Sequence, residues 1–215
     1  MKRKLLMLLI AALPLIYFLI NLGSLPDQVV THWNVYGEAD RYGSKYFYLI
    51  LASLPIIIVS VDHLLENATG SKRNKKLSAQ ALTLITIGFS SLAIVFIKNA
   101  TSESIEFLNG LVIGFGLLFI YFGNISNKIE QNAVFGIRLP YTLRNEKVWN
   151  RTHYIGGYLF FITGVLTVIS GLLLNNPLYQ VLLMTTCIVL SIIFLTFYSR
   201  NLYIKETKWH EKNQL

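Results

Sequence analysis

Charge is what this chain has least of. Of its 215 residues, 14% are Asp, Glu, Lys or Arg, while 53% are hydrophobic and the mean hydropathy is +0.51. A soluble domain carries about 25% charged residues. A chain this short of charge cannot wrap a large core in a water-compatible surface, so the composition excludes the soluble class and points to the membrane. Cysteine is almost absent as well. Cys187 stands alone in an apolar run; a single thiol forms no internal disulfide and implies no redox compartment, and it reads as a small apolar residue. The chain has no HExxH, no CxxC, no glycine-rich phosphate loop and no nucleophile set beside a base. No catalytic residue, metal or cofactor is therefore expected.

The charge that is present is skewed to +8, with 19 Lys and Arg against 11 Asp and Glu. No basic block is long enough to argue for nucleic acid. In a membrane protein such an excess first reports orientation. A helix needs about 20 apolar residues to cross the hydrocarbon core, and six stretches qualify, at roughly 5–22, 46–65, 79–98, 105–123, 155–174 and 178–199. The first follows Lys2, Arg3 and Lys4 as a signal peptide would. It runs on through Ile20 without a small-residue cleavage site, so a retained helix is expected. With the N-terminus placed in the cytoplasm, sixteen of the nineteen basic residues fall inside; only Arg41, Lys45 and Lys98 fall outside. By the positive-inside rule the expectation is an all-α polytopic protein of the bacterial cell membrane. It has six transmembrane helices, both termini cytoplasmic, and membrane lipids as its surroundings. Two loops are long: an extracellular one at 23–45 and a cytoplasmic one at 124–154. The chain divides into an N-terminal half, 1–100, and a C-terminal half, 101–215.

Lipid supplies no hydrophobic force between helices, so small residues mark contacts. Gly157, Gly164 and Gly171 are spaced seven apart in the fifth span. The fourth has Gly110 and Gly114 in GxxxG spacing, with Gly116 and Gly123 again seven apart. These two spans are expected to pack closely. Pro14 and Pro55 fall inside the first two spans, where each removes a backbone donor.

The outer loop carries Pro26, Asp27, His32, Trp33, Gly37, Glu38 and Asp40. Alternation over Val29–Asn34 suggests a short extended segment, and Gly37 and Gly43 suggest turns. The segment reads either as an interfacial lid over the first two helices or as a recognition surface for an extracellular ligand. His32, Asp27, Glu38 and Asp40 have no metal-ligand spacing. The inner loop is denser, with Asn124, Asn132, Gly136, Arg138, Pro140, Thr142, Glu146, Trp149 and His153 in about thirty positions. Arg138 sits in the apolar run Val134–Pro140, where a buried guanidinium would need Glu130, Glu146 or carbonyls as partners. Thr142 is a candidate cap for a helix starting near Leu143. Asn145 is the cleaner cap, for a helix carrying Val148, Trp149 and Thr152 on one face and His153 a turn later. The loop reads as a structural element pinned by Arg138 and Trp149 or as a partner or ligand site.

The run from Asn127 to Gly157 resembles the signature of the SdpI family of bacterial membrane immunity proteins. The matching positions are Asn132, Gly136, Ile137, Arg138, Pro140, Tyr141, Thr142, Leu143, Asn145, Glu146, Val148 and Trp149. Leu139 departs from the Thr often found there, and Tyr141 replaces the commoner Trp. The outer loop is similar to the small domain that often precedes this signature. The resemblance implies resistance to a secreted, membrane-active toxin peptide, met outside. It also implies signalling, with a cytoplasmic transcriptional repressor held at the membrane when toxin is present, the inner motif holding that partner or transmitting the signal. Two other readings stand beside it. A transporter or channel would need intramembrane charge, and only Asp62, His63 and Glu106 lie near span ends. A membrane enzyme acting on lipid or cell-wall precursors would use Arg138 on phosphate and His153 as acid and base.

Overall fold

The computed structural model describes residues 2–34, 36–65, 70–103 and 108–213. The side chains of Asp62 and His63, and Glu106 altogether, lie outside the described residues.

Helix α1 is Lys2–Asn21 and α2 is Phe47–Leu65, and Pro14 and Pro55 lie inside them as the sequence suggests. Helix α3 is Lys72–Lys98, α4 Leu108–Ser126, α5 the five-residue Pro140–Arg144, α6 Glu146–Leu173 and α7 Pro177–Asn213. Helices α1, α3, α4, α6 and α7 are long and apolar enough to cross a membrane, and Phe47–Val61 of α2 is a shorter apolar helix. The protein is thus an all-helical polytopic membrane protein with one addition. Residues Gln28–Trp33 (β1) and Ala39–Ser44 (β2) form an antiparallel hairpin where only a short extended segment is expected.

Three helices begin or end beyond the apolar stretches. Helix α3 starts seven residues before the expected 79 because Ser71 caps it, accepting a hydrogen bond from the Asn74 N–H at 3.1 Å. An N-cap side chain satisfies one of the four donors a helix start leaves open. Helix α6 begins at Glu146, capped by Asn145, whose Oδ1 accepts from the Val148 N–H at 3.0 Å. Helix α7 runs on to Asn213, about 55 Å at 1.5 Å per residue. That exceeds a hydrocarbon core of about 30 Å, so its charged last turns project beyond it. The 124–154 loop therefore shrinks to residues 127–139 and α5.

Helices α1, α2 and α3 pack on one another, as do α4, α6 and α7, with α3 meeting α4. The α4–α6 contact is the most extensive in the molecule and follows the glycines. A Cβ at Gly123 would lie 2.5 Å from the Phe161 nitrogen, and one at Gly164 2.6 Å from the Gly116 oxygen; at Gly157 the Gly123 oxygen would be 2.9 Å away. Gly171 closes against Ile113. Gly110 and Gly114 do not join this seam, for a Cβ at either meets nothing within 4 Å. The seven-residue spacing, two full turns, keeps a residue on one face, whereas the GxxxG pair here faces away.

The hairpin sits on one end of the bundle. Val29 packs with Phe18 of α1, Tyr48 and Ala52 of α2, and Ile97 and Ala100 at the end of α3. The ladder shifts register between Val30 and His32 and again before Trp33. Neighbouring Val29 and Val30, paired in register with Gly43 and Tyr42 before that irregularity, are both buried, so both faces of the strand's start are covered. The seam gives the first expectation. Gly123→Ala places a methyl against backbone that cannot yield and is expected to cost about 1–3 kcal/mol. Gly114→Ala, facing open space, is expected to be neutral or slightly stabilising. Thermal unfolding of both variants in detergent checks this, and equal melting temperatures would refute the seam.

Candidate functional site

The inner motif folds into a polar knot between α4 and α6. Trp149 and His153 are both buried and stack at 4.1 Å between centroids with a 23° tilt. The Trp149 Nε1–H donates to the Ile129 carbonyl at 2.8 Å. One ring nitrogen of His153, Nε2, accepts the Ile137 N–H at 2.8 Å; the other, Nδ1, faces the Trp149 carbonyl at 2.9 Å. An acceptor on one side and a carbonyl on the other assign the neutral tautomer with the proton on Nδ1. His153 is thus a structural splice joining the loop to α6, with neither nitrogen left to act as an acid or base. Its own carbonyl accepts from Ser126 Oγ at 2.9 Å, which ties α4 to the same turn of α6.

Asn132 uses both ends of its amide. Its Oδ1 accepts from the Val134 and Phe135 N–H groups at 2.8 and 2.7 Å, while Nδ2 donates to the Glu130 and Phe135 carbonyls. Gly136 follows at φ +115°, and a Cβ there would lie 2.5 Å from His153 Nε2 and 3.1 Å from the Trp149 ring. Backbone conformation and space both require glycine at this point. Pro140 takes the first position of α5, where its missing N–H costs nothing. Thr142 is buried, but it does not cap a helix at Leu143. It lies inside α5, where its hydroxyl accepts from the Leu139 N–H at 2.9 Å and faces the Ile137 and Leu139 carbonyls.

The remaining motif residues stand apart from this knot. Asn124 is exposed on α4 and Glu146 is exposed in the first turn of α6, where a carboxylate suits the positive end of the helix dipole. Arg138 is exposed and has no hydrogen-bond or ion-pair partner among the described residues. The expectation that Arg138 pins the loop through Glu130 or Glu146 therefore fails, since Trp149, His153, Asn132 and Thr142 hold it instead. An arginine in solvent needs no partner, so the burial cost that motivated the pairing does not arise.

Three contributors escaped the sequence reading. Asn74 of α3 makes paired bonds with the Glu130 backbone, donating to its carbonyl at 2.9 Å and accepting from its N–H at 3.0 Å. Gln131 Nε2 donates to the Thr142 and Leu143 carbonyls. Lys147 pairs with the largely buried Glu206 of α7 at 2.8 Å. Asn74 lies 56 residues from its partner in a basic stretch that reads as a solvated loop, and Ser71, three residues before it, is the one local hint of a helix start.

The outer-loop residues gather at the opposite end. Trp33 is buried beneath the hairpin, donating from Nε1 to the Ser102 carbonyl at 3.1 Å and meeting Phe96 edge-on. His32 Nδ1 and Asp40 form an exposed pair at 2.6 Å. Gly37 turns the hairpin at φ +82°, with Asn34 Oδ1 accepting from the Tyr36 and Glu38 N–H groups. Pro26 is exposed. The Tyr42 hydroxyl donates to Glu103 at 2.7 Å, and that bond raises its pKa above the ordinary 10.0. Among the described residues, no three His, Cys, Asp or Glu side chains are grouped to hold a metal ion.

A bundle of apolar helices with a hairpin on one end and a self-satisfied polar knot on the other defines a polytopic membrane protein built around its loops. The knot, α5, α6 and most of α7 carry the family resemblance: residues 128–199 match the SdpI/YfhL protein family, and residues 9–59 match a domain of unknown function (DUF1648). Across 214 residues, 95% of this chain and 98% of the relative, the chain is 24% identical to a protein described as immunity protein SdpI of Bacillus subtilis (strain 168). No solved structure gives a significant match.

The knot separates two kinds of motif residue by their effect on stability. Gly136→Ala is expected to destabilise by about 1–3 kcal/mol, through strain at a positive φ and contact with His153. Arg138→Ala is expected to stay within about 0.5 kcal/mol of the parent, as surface substitutions do. Thermal or denaturant unfolding measures both, and a destabilised Arg138→Ala would restore the pinning role.

Proposed function

We propose that this chain is a non-enzymatic membrane immunity protein that protects its cell from a secreted, membrane-active toxin peptide. The observation that carries the reading is similarity to immunity protein SdpI along nearly the whole of both chains, spanning the hairpin as well as the knot. Toxin is met at the hairpin end, on the outside, where His32, Gly37 and Asp40 lie at or near the turn, Trp33 seats the hairpin and Pro26 leads into its first strand. The knot lies inside with both termini, and its exposed Arg138 engages a cytoplasmic partner, a transcriptional repressor held at the membrane. The orientation rests on sixteen of nineteen basic residues falling on the side of the knot and on the positive-inside rule. His153, spliced into the fold through both ring nitrogens, is not free to be the acid and base that an enzymatic reading assigns to it.

Expression in a toxin-sensitive strain tests immunity. The parent chain is expected to restore growth, and Trp33→Ala to lose much of that protection because the hairpin loses its seat. Arg138→Ala is expected to keep protection while losing repressor retention, scored with a reporter. Growth no better than the empty vector against every candidate peptide would end the immunity reading. Orientation has its own measurement. In a Cys187→Ala background, a membrane-impermeant maleimide applied to intact cells is expected to label Gln28→Cys and spare Arg144→Cys; the reverse pattern inverts the topology.

A further inference from the structure

We infer that the open edge of β2 docks an extended peptide segment as a third strand, with apolar side chains of that segment against the start of α2 and a carboxylate beside Arg41. On the reading that the hairpin end meets toxin, on which this rests, the segment is the toxin's. The two edges of the hairpin differ. On β1 the Val30 N–H donates to the Ala100 carbonyl at 2.8 Å, and the Val30 carbonyl accepts from the Tyr48 hydroxyl at 2.6 Å. The protein closes that edge itself. Val30 pairs with Tyr42, and neither backbone group of Val30 turns toward β2, so the pair is a non-hydrogen-bonded one. In such a pair both residues point their N–H and C=O groups away from each other. Tyr42 therefore aims its two groups out of the opposite edge. Ser44, paired with Gln28 two positions on, does the same, and the bond from the Lys45 N–H to the Asp27 carbonyl at 3.1 Å fixes that phase. Among the described residues nothing bonds to these four backbone groups, and Tyr42 and Ser44 are exposed. A row of outward N–H and C=O groups is complementary to another extended backbone.

The surface beside the edge sets the side chains such a backbone would carry. A groove of about 660 Å³ lies where the hairpin meets the start of α2, lined by Thr31, Arg41 and Gly43 of the hairpin and by Tyr46, Phe47 and Ile50. Ser44 lines it too, so the groove reaches the open edge. Arg41 and Gly43 alternate with Tyr42 along β2 and share a face, while the Tyr42 ring turns to the other face, where its hydroxyl donates to Glu103. Tyr46, Phe47 and Ile50 are large and exposed together. Alternate residues of an added strand fall on one face, so its apolar residues meet these three side chains. Arg41 is exposed and has no ion-pair partner among the described residues. Its charge in the groove favours an acidic residue at that end of the strand. The complement is an extended peptide with one apolar face and a carboxylate on it.

The test uses the purified full-length chain in phosphatidylcholine nanodiscs and a labelled peptide of about ten residues that alternates valine with threonine, one valine exchanged for aspartate, a strand of average length or longer. Fluorescence anisotropy is expected to show saturable binding above that to empty nanodiscs. Tyr42→Pro removes one outward donor and no ladder bond, a change that an edge strand tolerates. It is expected to bind the peptide about tenfold more weakly than Tyr42→Phe, which loses the same hydroxyl bond to Glu103. Arg41→Gln is expected to weaken binding about two- to fivefold, and to make no difference when asparagine replaces the aspartate of the peptide. Thermal unfolding confirms that each variant is folded. Binding no greater than to empty nanodiscs, equal binding by Tyr42→Pro and Tyr42→Phe, or a dimer of the parent that is lost in Tyr42→Pro, which gives the edge to a second copy, would each overturn the inference. Growth assays fail separately. A chain that binds the peptide without restoring growth loses the immunity reading and keeps the edge; one whose Tyr42→Pro variant protects as well as the parent keeps immunity and loses the edge.

Discussion

Everything at the knot end depends on how closely α4 approaches α6. In lipid, apolar side chains gain nothing by turning from the bilayer to each other, so close backbone contact must do the work. Gly116, Gly123, Gly157, Gly164 and Gly171 allow it. The approach brings Ser126 of α4 within hydrogen-bonding distance of the His153 carbonyl and seats Ile125 and Ile129 against Trp149. A wider seam would leave the Trp149 indole short of the Ile129 carbonyl and the loop between the helices without a floor.

With that floor in place, the knot satisfies itself. Asn132, Thr142, Trp149 and His153 answer the backbone groups of a segment that is neither helix nor strand, which matters near a membrane because unanswered backbone polarity is costly there. Since the loop's stability comes from these bonds, Arg138 is released from any structural duty. The loop holds its arginine outward on a rigid frame, and rigidity of the frame is what lets an exposed side chain be presented in one place.

Much of this arrangement was legible in the sequence because membrane proteins write their architecture in composition. Apolar runs marked the spans, glycines seven apart marked the tight pair, and Asn145 marked the start of α6 by the chemistry of capping. Other helix ends are harder to read: the start of α3, despite its Ser71 cap, and the extension of α7 lie past the apolar runs, and polar residues in a helix that outgrows the bilayer look like loop. The hairpin reads as a single extended segment because β2, ADRYGS, is polar and largely exposed and carries no apolar alternation. Arg138 was misread by a sound rule applied to a wrong premise, that a residue among apolar neighbours must itself be buried. Asn74 was out of reach, since nothing local tells an asparagine which carbonyl it will find 56 residues later.

Those long-range bonds also set an order of events. Glu130 is joined back to Asn74, and Lys147, 59 residues before Glu206, waits for the far end of α7. A chain emerging from the ribosome inserts α1, α3, α4 and α6 before α7 exists, so the bonds that satisfy the knot can form first and the Lys147–Glu206 pair last. The far end of α7 is in this sense a late clasp on a motif already folded: a copy lacking it would lose the Lys147 pair while the bonds that satisfy the knot remain.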